Sequence, residues 1–336
     1  MIGISFYLQD PHAETQIIHA TNLGVKRAFT SLHIPEEKGD LVKRMITLLK
    51  LSEAYGLEIH ADVSLKTLDH LGISKFTDLW PLGIKGIRLD DGFNKETVIS
   101  LSKVFSLSLN ASTLSEEELL AVLGGGVETE SLIAWHNFYP RPETGLEEGF
   151  FHEQNRMFKK YGIPIFAFIP GAGSKRGPLH EGLPTLEKHR LVNPYAAGIE
   201  MIQHVEGVYV GDQGTENNLL EKLTAYKNLN ILTVRVESRI LQSGQYKLRP
   251  DVSQDVFRLQ NTRVTANVEP SNTVARSLGS ITMDNDAYGR YRGEVQICKR
   301  DLGANHRVNV IGRVIEEDIP LLSLLKPGQM VNLIIE

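Results

Sequence analysis

Across the first 230 residues, short β-branched or aromatic runs alternate eight times with amphipathic helical stretches. The runs cover residues 3–8, 27–32, 58–63, 86–89, 106–109, 131–136, 164–169 and 207–210. This is the pattern of parallel strands joined by crossover helices. Eight such units in about 230 residues match the count and size of a TIM barrel. A doubly wound open sheet would normally carry a glycine turn after an early strand, yet the first turn is Leu8-Gln9-Asp10-Pro11. The stretch 40–55 illustrates the helices: Leu41, Arg44, Met45, Leu48, Leu49 and Ser52 form one mostly apolar stripe, with Asp40 as N-cap and Gly56 as stop. Ser115 and Glu118 open another helix as a capping box.

Beyond residue 230 the alternation changes to strand-like runs at 231–236, 263–268, 293–298, 307–314 and 330–335, separated by Gly, Pro and Asn. The chain therefore reads as a (β/α)8 barrel over 1–230 and a small all-β domain over 231–336, the last strand following a Lys326-Pro327-Gly328-Gln329 turn. Charge narrows the function classes. With 36 Lys and Arg against 41 Asp and Glu, the net charge of -5 lacks the positive field of a nucleic-acid binder. One cysteine, Cys298, forms no intrachain disulfide and suits burial in a reducing compartment. No run approaches the ~18 apolar residues of a membrane span, and the N-terminus lacks a basic n-region, so the expected location is the cytoplasm.

In such a barrel the chemistry sits where the strands end, and polar residues gather there: Asp62, Arg88 and Asp90, Asn110, then His136-Asn137-Phe138-Tyr139-Pro140-Arg141-Pro142-Glu143. His60, Asp62 and Ser64 share one strand face, as do Arg88, Asp90 and Gly92. A carboxylate facing a barrel mouth is costly unless paired or used, which marks Asp62 and Asp90; a structural clamp of Asp90 on Arg88 or Arg141 is the competing account. Two prolines stiffen the loop bearing Arg141, suited to grip an oxyanion, and Glu143, an acid or base candidate. The competing account there is an exposed salt bridge. The loop after the seventh strand is glycine-rich and basic, with Gly173, Ser174, Lys175 and Arg176 placed to bind an anion. Glu181 adds a fourth acid, and Thr185 is a candidate cap for a helix over 186–191. His60 with Asp62, or His136 with Asp90, offers metal-ligand chemistry, but no spacing supports a metal site and none is expected. No nucleotide-binding glycine motif or nucleophile elbow is present.

The strings Phe29-Thr30-Ser31-Leu32-His33, Ala61-Asp62-Val63-Ser64, Gly86-Ile87-Arg88-Leu89-Asp90, Asn110-Ala111-Ser112, His136 to Leu146, and Arg176-Gly177-Pro178-Leu179 through Arg190 together resemble the 6-phospho-N-acetylmuramidase family, sometimes labelled outer surface proteins. The resemblance covers essentially the whole chain. It implies a TIM barrel followed by a cyclophilin-like β-barrel, and hydrolysis of 6-phospho-N-acetylmuramyl-N-acetylglucosamine in cell-wall recycling without a cofactor. The catalytic candidates are then Asp90, assisting the nucleophile, and Glu143, donating the proton, with Asp62 and Glu181 in reserve. Arg88, Asn110, His136, Asn137, Tyr139, Arg141, Gly173, Ser174, Lys175 and Arg176 are the candidate substrate contacts. Retaining, inverting and acetamide-assisted routes stay open. Two other classes compete: a phosphosugar sensor without turnover, and a lyase or epimerase. A phosphorylated disaccharide is the expected partner, neither nucleic acid nor membrane is, and a homodimer is compatible with the small domain.

Overall fold

The computed structural model describes residues 1–32, 41–89, 93–213 and 218–336. They fall into two compact units, Met1–Thr224 and Ala225–Glu336.

In the first unit, strands β1 (Ile2–Ser5), β2 (Arg27–Ser31), β3 (Glu58–Val63), β4 (Ile84–Leu89), β5 (Ser106–Asn110), β6 (Leu132–Trp135), β7 (Ile165–Ile169) and β8 (Gly207–Val210) pair in parallel, each with the next. β1 closes on β8, so the sheet is the expected closed barrel. The helices are α1 (Ala13–Asn22), α2 (Leu41–Ala54), α3 (Thr67–Leu71), α4 (Lys95–Ser102), α5 (Glu116–Leu123), α6 (Glu148–Lys160), α7 (Pro194–Ile202) and α8 (Leu219–Leu229). The capping box of α5 forms as expected: Ser115 Oγ accepts the Glu118 amide and the Glu118 carboxylate accepts the Ser115 amide. Gly56 follows α2 with φ 68°, the left-handed stop that glycine favours, whereas Asp40 lies outside the described residues.

Rings fill the barrel. Phe29, Ile133, Trp135, Phe166, Phe168 and Tyr209 form one buried cluster, with Trp135 stacked on Phe168 at 5.7 Å and 4.4 Å from Tyr209. The packing alternates large with absent side chains. Three rings have glycine as their register partner on the neighbouring strand: Tyr209 beside Gly3, His60 beside Gly86 and Phe166 beside Gly207. A Cβ at any of these glycines would lie within 2.5 Å of the ring. The interior is therefore a solid core, and chemistry is left to the strand ends.

The second unit is a seven-stranded mixed sheet of β9 (Ile231–Ser238), β10 (Gly244–Lys247), β11 (Val256–Arg258), β12 (Ser280–Asp284), β13 (Val295–Cys298), β14 (Val308–Val314) and β15 (Met330–Ile335), in the order β10-β15-β9-β14-β12-β13-β11. A bridge between Leu248 and Leu259, flanked by Gln260 N–H donating to Lys247 O at 2.8 Å, joins its two edges. Cys298 is buried in β13. The strand expected at 263–268 does not form: residues 263–267 are all exposed, so the alternation there has no core to face. Among the described residues no helix is long and apolar enough to cross a membrane.

Candidate active site

Asp62 and Arg88 are register partners on β3 and β4, so their side chains emerge side by side. Arg88 grips Asp62 bidentately, Nη2 donating to Oδ2 at 2.7 Å and Nε to Oδ1, and reaches the His136 carbonyl at 3.4 Å. The guanidinium lies 5.4 Å from the Phe29 ring centroid. Asp62 is thus the carboxylate clamped by Arg88, the role the sequence offered to Asp90. Asp90 itself lies outside the described residues.

Asn110 closes β5 with an Asx turn, its Oδ1 accepting the Ser112 amide at 3.0 Å. Ser112 Oγ then accepts the Asn137 amide at 2.9 Å and meets His136 Nδ1 at 3.2 Å. On its far side His136 Nε2 donates to Asn155 Oδ1 of α6 at 2.9 Å. The His136 ring is fully buried, and burial drives its pKa from 6.5 to about 4. His136, which the sequence offered as a substrate contact, is here a buried neutral pin between β6 and α6. His60 is likewise an interior ring, 5.7 Å from Trp135, its pKa pushed down to about 3 by burial.

The glycine-rich loop after β7 winds around Asp212, just past the end of β8, a residue for which the sequence suggested no role. Asp212 is fully buried, and its carboxylate accepts the amides of Gly171 (2.9 Å), Arg176 (3.0 Å) and Leu183 (3.2 Å). The anion that these amides approach is the protein's own. Lys175 also turns inward, donating to Gly171 O with Nζ 3.8 Å from Asp212, and burial lowers its pKa. Arg176 differs: its guanidinium lies 4.0 Å from the Tyr7 ring centroid, half-buried, with no carboxylate in ion-pair range among the described residues. Tyr7 is anchored through its hydroxyl to Gly211 O at 2.6 Å, and burial raises its pKa. The amides of Gly173 and Ser174 have no hydrogen-bond partner among the described residues.

Thr185 does not cap a helix. Its hydroxyl donates to Asn137 O at 2.8 Å and accepts the Phe168 amide at 2.9 Å, tying the loop after β7 to the end of β6. Only a short 3-10 turn, Glu187–His189, follows. Tyr139 N donates to Pro184 O at 3.0 Å, and Leu146 N to Thr185 O at 2.9 Å. Arg141, Glu143 and Glu181 are exposed, and no ion pair forms on Arg141 among the described residues, so the salt-bridge account of that loop fails. The backbone beneath them is held by Glu187 and Arg190. These two appeared in the sequence only as the end of a recognisable string; the signal was an acid and a base three apart, just past a glycine-rich loop.

Known proteins share this architecture. A family model described as 6-phospho-N-acetylmuramidase, N-terminal, matches residues 2–225, and one described as 6-phospho-N-acetylmuramidase, C-terminal, matches 228–334. The chain belongs to the 6-phospho-N-acetylmuramidase family. Among solved structures, a conserved Enterococcus faecalis protein of unknown function is 37% identical over 100% of this chain and 96% of its own, with a TM-score of 0.90. An uncharacterized B. cereus protein is 25% identical over 99% of both chains, with a TM-score of 0.76. No curated protein matches. Family membership gives the strand-end residues a common context, because the N-terminal model spans the whole barrel.

Proposed function

We propose that the barrel is a glycosidase that cleaves 6-phospho-N-acetylmuramyl-N-acetylglucosamine, in the cytoplasm and as a step of peptidoglycan recycling. The observation that carries the reading is Arg176: a half-buried guanidinium laid on Tyr7, without a carboxylate partner among the described residues, in a loop whose other cation is spent on Asp212. Such a cation calls for an exogenous oxyanion. The 6-phosphate would take Arg176 with the open amides of Gly173 and Ser174, and Arg141 would close over it from the neighbouring loop.

Glycoside hydrolysis then needs a proton donor and a group that supports the attacking side. Glu143 is the donor in this reading: it is exposed on a braced loop and uses its backbone, not its carboxylate, for structure. Asp90, which follows β4 in the chain, assists the nucleophile, and Asp62 carries the charge that orients Arg88. Glu181 is the reserve acid. None of these steps asks for a metal or a redox cofactor.

The test is product analysis. The phosphorylated disaccharide should yield 6-phospho-N-acetylmuramic acid and N-acetylglucosamine in equal amounts, and Glu143→Gln and Asp90→Asn should each lower turnover by about 100-fold or more. Full activity in both variants rejects the assignment of roles. Unchanged ligand after incubation would make the protein a sensor, and a single isomerised or unsaturated product would make it an epimerase or lyase. Arg176→Gln should raise KM about 10- to 100-fold for the phosphorylated substrate alone, the loss of one charge-assisted contact.

A further inference from the structure

The loop after β6 carries Glu143 in an unfavourable backbone state, φ 71°, in the left-handed region that a non-glycine residue enters at a cost of about 1 kcal/mol or more. Prolines 140 and 142 stiffen its start, but they do not set residue 143. Glu187 does. Its Oε1 accepts the Glu143 amide at 3.0 Å and its Oε2 the Gly145 amide at 2.7 Å. The approach is close enough that a Cβ at Gly145 would stand 2.6 Å from Glu187 Oε2 and 2.7 Å from its amide.

Glu187 is itself held by Arg190, at 2.6 Å through Nε and 2.7 Å through Nη2, and this pairing first, with the two amides, takes its pKa down to about 2. Arg190 is 8% exposed and serves both loops at once. Nη2 donates to the carbonyls of Tyr139 (3.0 Å) and Arg141 (3.2 Å), and Nη1 to those of Glu181 (3.3 Å) and Gly182 (3.2 Å). One guanidinium therefore fixes the backbone under both exposed acids. All of its N–H directions are used, which a lysine with three donors on a flexible stem cannot reproduce.

We infer that Arg190 and Glu187 are a positioning pair for acid catalysis: they set the loop that aims the Glu143 carboxyl at the leaving-group oxygen and hold the Glu181 loop against it. This rests on the glycosidase reading above. The pair touches no substrate; it acts through Glu143.

The test uses leaving-group dependence. Glu143→Gln, Glu187→Gln and Arg190→Lys, each in the full chain, are assayed on the phosphorylated disaccharide and on the p-nitrophenyl glycoside of the same 6-phosphosugar, whose departure needs little protonation. In all three, kcat on the disaccharide should fall about 100-fold, the scale of a lost general acid, while kcat on the aryl glycoside changes less than about 3-fold and KM stays level. Glu187→Asp, which keeps the charge, should recover part of the disaccharide rate. Equal losses on both substrates in Glu187→Gln and Arg190→Lys, with Glu143→Gln selective, overturn the positioning role. A Glu143→Gln enzyme that is not selective overturns the acid assignment instead. The two failures stay separate because amide exchange reads the bracing directly: the Glu143 and Gly145 amides should exchange at least 10-fold faster in Glu187→Gln, and unchanged exchange refutes the pair's hold on the loop whatever the reaction.

Discussion

Desolvation divides the polar residues at the strand ends into two kinds. Arg88 and Asp62 keep some exposure and satisfy each other's charge. His136 has none: Ser112 and Asn155 take both ring nitrogens, and its neutral form is the one that fits. Its removal should therefore cost stability more than chemistry. His136→Ala should lower unfolding free energy by about 2 to 4 kcal/mol, from the cavity and the orphaned Ser112 and Asn155 groups, as read by denaturant titration. Turnover per folded molecule should stay within a few-fold; a large loss of kcat in a protein of unchanged stability would return His136 to the substrate. In the sequence, His136 and Arg88 carry the same signal, a polar residue ending an apolar run. Which one turns to a helix and which to the mouth depends on where the strand's alternation stops, and single residues do not display that.

At the scale of elements, legibility followed burial. The barrel strands announce themselves because both their faces are covered, as in β7, buried throughout from Ile165 to Ile169. In the second unit, β10 reads Gly244-Gln245-Tyr246-Lys247 and exists because β15 supplies its ladder, a partner nearly ninety residues away that no local pattern reveals. The run at 263–268 has the opposite fault, alternation without a core. The glycine-rich loop read in the sequence as a site for an outside anion, and its hold on Asp212 was not legible, because that carboxylate arrives from the end of β8, about forty residues later. Asp212 thus makes a specific forecast. Asp212→Asn turns one acceptor oxygen into a donor that faces backbone N–H groups, at a cost of about 2 to 3 kcal/mol. The loop should loosen and, under the proposed function, KM for the phosphorylated substrate should rise at least about 10-fold, because three braced amides set where Arg176 stands. Steady-state kinetics beside a thermal melt would check it: a stability loss with unaltered KM would confine Asp212 to folding.

Across the whole molecule, acid acts on the two units with opposite sign. The barrel buries His60 and His136 as neutral rings, with pKa values of about 3 and 4 against an ordinary 6.5. Between those values and 6.5 the unfolded chain binds more protons than the folded one, so barrel stability rises with pH through this window, by up to about 1.4 kcal/mol per pH step for each ring. The Arg27 charge pushes the same way. In the second unit Asp284, 5% exposed, is raised to about 7 first by burial and then by Glu294, against the pull of Arg258, Arg263 and Arg276. A carboxyl raised in this way contributes its stability fully below its ordinary pKa of 3.8 and loses it as pH climbs through 7. Glu294 is shifted downward, away from this window, so it does not obscure the trend. Both tryptophans, Trp80 and Trp135, belong to the first unit, which makes their emission a probe of the barrel alone. Raising pH from 5 to 6.5 should therefore raise the melting temperature read by tryptophan emission, while amide exchange at Ile281 and Ile297, partners in the β12–β13 ladder, becomes faster than intrinsic base catalysis explains. Asp284→Asn should flatten the second response and leave the first untouched. If protection at Ile281 and Ile297 instead strengthens with pH in the unsubstituted chain, Asp284 does not hold its proton in the folded state.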